Sequence, residues 1–266
     1  MKKWWALFGA DAGTRISHWI YAFLSIAQLA TLDEKNMDSM AYTYFLAERS
    51  KAETSGKLLD AERDHTAERV QQITRRILKS LRENPEYRAR YDEIKNTITA
   101  WTGWKILTLQ NPSLNAYCLP GGRMVVYSGL AEKLADDELA IVIGHEIMHA
   151  MKGHSFNTAK ESLMRKAALF AGAAAVGARS LPVSMAVLGE AFATGTVFSR
   201  GHEQEADITG LHVARDAGYD PRAALTLWKK MDTLQKWKQP PEILSSHPSH
   251  NSREAYLRGE IQNMWY

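Results

Sequence analysis

His145-Glu146-Ile147-Met148-His149 sets two imidazoles four residues apart, with a carboxylate directly after the first. On an α-helix, residues i and i+4 project from one face, so both rings can reach one metal ion. Glu146 then points toward a water on that metal. Zinc lowers the pKa of such a water toward neutrality, and the carboxylate takes its proton to leave a nucleophile for a carbonyl carbon. The bland reading of the same five residues is two helix histidines that meet solvent or a carboxylate.

A catalytic zinc takes three protein ligands and one water. The third ligand is sought in Ser199-Arg200-Gly201-His202-Glu203-Gln204-Glu205-Ala206-Asp207. Glu203 and Asp207 lie one helical turn apart. Glu203 can ligate zinc while Asp207 accepts a hydrogen bond from a ligand histidine and fixes its ring. His202 and Glu205 compete for the same role, and spacing alone does not separate them. A solvated acidic helix start explains the segment without any metal.

The elements that must carry these residues follow from pattern. The HExxH helix is expected to begin at Asp136, because Asp136, Asp137 and Glu138 suit a cap and a first turn at the positive end of the helix dipole. It runs apolar through Leu139, Ile141, Val142 and Ile143, which marks a buried helix. A small sheet precedes it, with strands expected at Trp104–Leu109, Asn115–Leu119 and Met124–Tyr127, and a turn at Pro120-Gly121-Gly122. Upstream, Asp38 to about Leu81 reads as helical, with Val70, Ile73, Ile77 and Leu81 at three- and four-residue steps. Glu83-Asn84-Pro85 breaks it. Downstream, Lys166–Phe198 reads as two packed helices rich in Ala and Gly. Further helices are expected at Glu203–Ala217, Pro221–Lys236 and Ser252–Asn263.

Bulk properties narrow the function classes. The chain has 266 residues, 45% of them hydrophobic and 24% charged, which is the balance of a globular protein with a core. The net charge of +3 comes from scattered basic residues without a Lys/Arg block, so no nucleic-acid partner is expected. Cys118 is the only cysteine. It can form no intrachain disulfide and reads as a small buried residue. Residues 1–32 read as a signal peptide or membrane anchor, with an apolar run from Ile16 to Leu32 and Ser25-Ile26-Ala27 as a small-x-small site. Residues 33–266 then form the catalytic domain. An amphipathic helix packed on that domain is the alternative for the N-terminus.

Several further segments lie in a family order. They are Asn115-Ala116-Tyr117, Leu119-Pro120-Gly121-Gly122, Tyr127-Ser128-Gly129-Leu130, His145–His149 with Gly153-His154, Ser199-Arg200-x-x-Glu203-x-Glu205-Ala206-Asp207, Gly218-Tyr219-Asp220-Pro221, and Ser246-His247-Pro248 with Arg253. With them, roughly residues 50 to 260 resemble the gluzincin zinc metallopeptidases that include the CAAX prenyl protease and HtpX, nearest the soluble BepA/LoiP-like branch. The resemblance implies a mostly helical α+β fold with a small sheet beside the HExxH helix. It implies one zinc per chain held by His145, His149 and Glu203, with Glu146 as the catalytic base and Asp207 as partner of a ligand histidine. His154 is expected behind the ligands or in a structural role. His247 matches a histidine that can approach the metal, either as a fourth ligand that keeps the enzyme latent or as a donor to the tetrahedral intermediate. Arg253 is a candidate anchor for that loop. Asn115, Ala116 and Tyr117 match an edge strand that pairs with an extended polypeptide substrate.

The implied activity is a metalloendopeptidase acting on misfolded or unassembled envelope proteins. A chaperone-like binding module using the same cleft without turnover is the alternative. A zinc hydrolase for non-peptide substrates is a third class. The implied place is the bacterial periplasm or the inner membrane facing it, with membrane association through the N-terminus; a cytoplasmic place is the alternative. Relatives of the LoiP type carry a lipid-attachment cysteine near the N-terminus, which this sequence does not show, so outer-membrane anchoring is not expected.

Overall fold

The computed structural model describes residues 33–97, 104–175, 197–235, 243, 247 and 252–264. The expected N-terminal signal or anchor, and most of the expected helix pair in 166–198, lie outside them.

Helix α1 (Glu34–Thr54) starts at Asp33, whose carboxylate accepts the Asn36 amide at 2.8 Å. The long helix anticipated from Asp38 to Leu81 is in fact two helices with a strand between them. The chain turns at Gly56, which sits at φ 66°, a conformation costly for any side chain. It then forms β1 (Leu58–Leu59) and re-enters a helix at α2 (His65–Glu83), capped by Asp64. Two adjacent leucines carry no period, so this short strand left no trace in the pattern. Helix α3 (Pro85–Thr97) opens on a proline, whose missing N–H costs nothing in a first turn.

The anticipated sheet is present as β2 (Lys105–Leu109), β3 (Ala116–Leu119) and β4 (Arg123–Tyr127). With β1 the order is β1-β2-β4-β3, with β2 and β4 parallel and the outer pairs antiparallel. It is buried on both faces. Ala116, Cys118, Met124 and Val126 turn into the main core, whereas Tyr117, Leu119, Val125 and Leu107 turn into a second core against Met37, Ala41, Tyr44 and Phe45 of α1. The period-2 alternation of a strand makes this division. Asp38 of α1 pins the second layer by a buried ion pair to Arg123 at 2.5 Å.

A short helix α4 (Ser128–Lys133) leads into α5 (Asp136–Met151), which starts at the expected residue. Ala135 precedes it, and its amide donates to the Glu138 carboxylate at 3.0 Å. From Glu138 onward every residue of α5 is buried. Helix α6 (His154–Ala175) follows after Gly153 at φ 73°. Then come α7 (Arg200–Asp216), α8 (Ala223–Gln235) and α9 (Arg253–Asn263), close to their expected bounds.

Helix α5 is the axis of the main core, set between the β3 edge and α2, α7 and α8. Its crossing with α7 is a backbone contact. A Cβ on Gly144 would lie 2.7 Å from the Gly210 carbonyl oxygen, and one on Gly210 would lie 2.7 Å from the His145 amide nitrogen. Two facing glycines thus let the helix bearing Glu203 and Asp207 lie directly against the helix bearing His145 and His149.

Candidate metal centre

His145 and His149 project from α5, Glu203 from the first turn of α7, and His247 from the segment before α9. One donor atom of each falls within 4.8 Å of every other. The Nε2 atoms of His145 and His149 are 3.0 Å apart, and His247 Nδ1 lies 3.1 Å from His145 Nε2. Glu203 Oε1 lies 2.9 Å from His247 Nδ1 and 3.3 Å from His149 Nε2. All four side chains are essentially buried.

Such a group fits a tetrahedral zinc. Donors about 2.0–2.1 Å from a common centre sit roughly 3.3 Å from one another, close to the spacings seen. Imidazole nitrogens turned toward each other at 3.0 Å in a dry interior need a cation or a shared proton between them. The remaining ring nitrogens are backed from outside. Asp207 Oδ1 lies 2.9 Å from His145 Nδ1, and His154 Nδ1 lies 3.2 Å from His149 Nδ1. Burial holds His149 well below the usual histidine range, hence neutral and able to ligate. Burial would raise the Glu203 carboxyl, but His247 and His149 hold it well below the usual carboxylate range, hence ionised.

Glu146 stands beside this group. Its Oε2 accepts the Cys118 amide of β3 at 3.2 Å. Its Oε1 is buried and has no hydrogen-bond partner among the described residues, although His247 Nε2 lies 3.2 Å away. Burial pushes the Glu146 carboxyl up, against the pull of His247 and His145. A raised carboxylate whose Oε1 lies beside the donor group is suited to accept a proton there.

Of the two competitors for the third ligand position, neither joins the group. His202 stacks on His154, ring centroids 4.2 Å apart, and Glu205 contacts His154 and Lys152. Cys118 is buried, and burial raises its thiol well above the ordinary value, in keeping with a small packed residue.

Arg253 reaches further into the centre than its place in the sequence suggested. Its Nε donates to Asp207 Oδ2 at 2.6 Å and its Nη2 to Glu203 Oε2 at 2.7 Å. Its guanidinium lies 3.7 Å over the Trp228 ring. Tyr256 also donates to Asp207 Oδ2. Arg253 therefore orients both carboxylates of α7, leaving Glu203 Oε1 toward the histidines. Phe198 stacks on His149 at 3.9 Å and closes one side. Neither Phe198, Trp228 nor Tyr256 was singled out by sequence, since a lone aromatic carries no spacing signal.

The substrate-strand candidates divide by register. Tyr127 donates to the Asn115 carbonyl, and Tyr117 faces Val125 across the ladder. Main-chain groups alternate sides along an antiparallel strand, so Asn115, Tyr117 and Leu119 turn theirs toward β4. Those of Ala116 and Cys118 turn outward, toward α5. Glu146 takes the Cys118 amide, and the Ser155 hydroxyl donates to the Cys118 carbonyl at 2.8 Å.

A buried His3Glu donor group on an HExxH helix, beside a sheet edge, defines a zinc metallopeptidase of the HExxH class. The chain belongs to peptidase family M48, whose sequence model matches residues 64–261. Among its relatives are the mitochondrial metalloendopeptidase OMA1 of Arabidopsis thaliana, 36% identical over 155 residues, and that of Homo sapiens, 34% over 168. The beta-barrel assembly-enhancing protease of Escherichia coli K12 is 34% identical over 175 residues. These matches cover 58%, 58% and 61% of this chain, but only 31%, 32% and 35% of the relatives. The chain thus spans about a third of their length. Zinc is the metal of the family, and one site, that of His145, His149, Glu203 and His247, is found among the described residues.

Proposed function

We propose that the chain is an endopeptidase cleaving extended polypeptides, with Glu146 as its base. The observation that carries this reading is the placement of Glu146 Oε1, buried beside the His3Glu group and 3.2 Å from His247 Nε2. Bound zinc supplies an acidified water and polarises the scissile carbonyl. Glu146 takes the proton of the attacking water at Oε1 and returns it to the leaving amine, while the Cys118 amide fixes Oε2. His145 and His149 are held by Asp207 and His154, and Arg253 aims Glu203. Ala116, with its main-chain groups turned toward α5, pairs with the substrate backbone. Main-chain pairing accepts many sequences, which suits unfolded substrates.

His247 places Nδ1 among the four donors and Nε2 3.2 Å from Glu146 Oε1. We read His247 as a fourth donor that keeps the enzyme latent and withdraws for turnover; the alternative role is that of a donor to the tetrahedral intermediate. Substrates are misfolded or unassembled envelope proteins, and the chain acts in the periplasm or at the inner membrane facing it. No helix among the described residues is long and apolar enough to cross a membrane.

The test is zinc content together with cleavage of casein by wild type and Glu146→Gln. The expected outcome is one zinc per chain in both, with cleavage reduced about 10²-fold or more in the variant. Zinc without cleavage in either, under all conditions that release His247, would favour a binding module over a peptidase.

A further inference from the structure

We propose that Glu205 and His154 form a positioning relay that fixes the ring of His149 for metal binding, a role that rests on the zinc-site reading above. A histidine that ligates through Nε2 must carry its proton on Nδ1, and that proton needs an acceptor. For His145 the acceptor is a carboxylate, Asp207. For His149 the group facing Nδ1 is another imidazole, His154, through its own Nδ1 at 3.2 Å.

An imidazole can accept at Nδ1 only when its proton sits on Nε2. Glu205 imposes that arrangement. Its Oε2 lies 3.1 Å from His154 Nε2, and an ionised carboxylate accepts only. The reverse arrangement, with His154 donating from Nδ1, would force the His149 proton onto Nε2 and remove its lone pair from the metal. The direction of the chain His149 to His154 to Glu205 is thus set at its outer end.

The supports of Glu205 and His154 come from separate elements. Lys152, at the C-terminus of α5, holds Glu205 Oε1 at 3.2 Å. His202 stacks on His154 with planes 14° apart and keeps its ring plane fixed. His154 is the first residue of α6, delivered there by the turn at Gly153. Glu205 side-chain exposure is 46%, against 5% for His154, so the relay runs from the surface to the buried ligand. The same α7 turn that supplies the ligand Glu203 therefore also supplies, two residues on, the group that orients a ligand on another helix.

The test uses the full chain as wild type, Glu205→Ala, Glu205→Gln and His154→Ala. The zinc dissociation constant is measured by chelator competition, alongside the visible spectrum of the Co²⁺-substituted protein and the melting temperature of the metal-free form. The expected result is about 10-fold or greater weakening of zinc in Glu205→Ala and His154→Ala. Their Co²⁺ spectra should change, while the metal-free melting temperature of Glu205→Ala, at the half-exposed end, stays near wild type. Glu205→Gln, which keeps an acceptor oxygen, should recover most of the affinity. Wild-type affinity in Glu205→Ala, or a Glu205→Gln as weak as Glu205→Ala, overturns the relay and leaves the peptidase reading intact. A wild-type chain that binds no zinc overturns both.

Discussion

His247 Nε2 lies 3.2 Å from Glu146 Oε1, while Nδ1 of the same ring lies 2.9 Å from Glu203 Oε1. One imidazole thus spans the distance from a metal ligand to the base. The segment that carries it also reaches the sheet, because Ile243 donates to the Leu114 carbonyl at 3.2 Å, just ahead of β3. The His247 amide in turn donates to the Ile243 carbonyl at 2.9 Å. His247→Ala is expected to raise cleavage of an unfolded polypeptide several-fold while retaining zinc on three ligands. An initial-rate assay with parallel metal analysis checks this. A fall in rate would assign the ring to turnover rather than to latency.

Glu203 and His202 are neighbours in sequence with opposite fates. Glu203 joins the donor group, and His202 stacks on His154 instead. Glu203→Ala should lose most of its zinc in dialysis, since it removes the one carboxylate of the donor group and leaves only three imidazoles. His202→Ala should keep close to one zinc per chain. The reverse pattern of metal content would move the third ligand to His202.

The sequence made the metal ligands on α5 legible because helical spacing is a strong local signal. It left Glu203, His202 and Glu205 unranked, since all three sit at the start of one helix and only the tertiary crossing decides which faces α5. The family likeness chose Glu203, and the geometry agrees. Arg253 was visible as a residue but not as the clamp on Glu203 and Asp207, because its partners lie 50 and 46 positions away. Strand β1 and the division of the sheet between two cores were not legible either. A two-residue strand has no period, and burial on both faces depends on α1, which carries no strong apolar stripe of its own.

Arg253 is 2% exposed and serves two buried carboxylates. Removing one partner of a buried ion pair leaves uncompensated charge, so Arg253→Met should cost about 3–5 kcal/mol in chemical denaturation of the metal-free protein. The pH dependence has a definite sign. Asp207 is buried, but Arg253 first, with His145 and Tyr256, holds its carboxyl below the ordinary 3.8. A carboxyl lowered on folding stabilises fully above its unfolded value, and that stabilisation fades as pH falls through the folded value. The gap between wild type and Arg253→Met should therefore be constant near neutrality and narrow below about pH 4. A gap that stays constant into acid would show that Arg253 acts through packing on Trp228 and not through Asp207.

The Gly144–Gly210 crossing is what brings two ligand-bearing helices to backbone contact, and it gives the sharpest link between fold and site. A methyl group at 210 would lie 2.7 Å from the His145 amide nitrogen and 2.8 Å from its Cα, with only backbone there to yield. Helix propensity alone would make Gly210→Ala stabilising by roughly 1 kcal/mol. Overpacking costs about 1–3 kcal/mol and requires α7 to move outward. Because Glu203 and Asp207 ride on that helix within two turns of residue 210, the displacement must carry a ligand and a ligand's partner away from His145. Gly210→Ala is therefore expected to lower the melting temperature and, in the fraction that remains folded, to weaken zinc more than the loss of stability alone would explain. Chelator competition on the folded variant, set beside its thermal unfolding, separates the two effects. A stabilised variant with wild-type zinc affinity would mean that the crossing has slack and that Gly210 does not set the spacing of the metal centre.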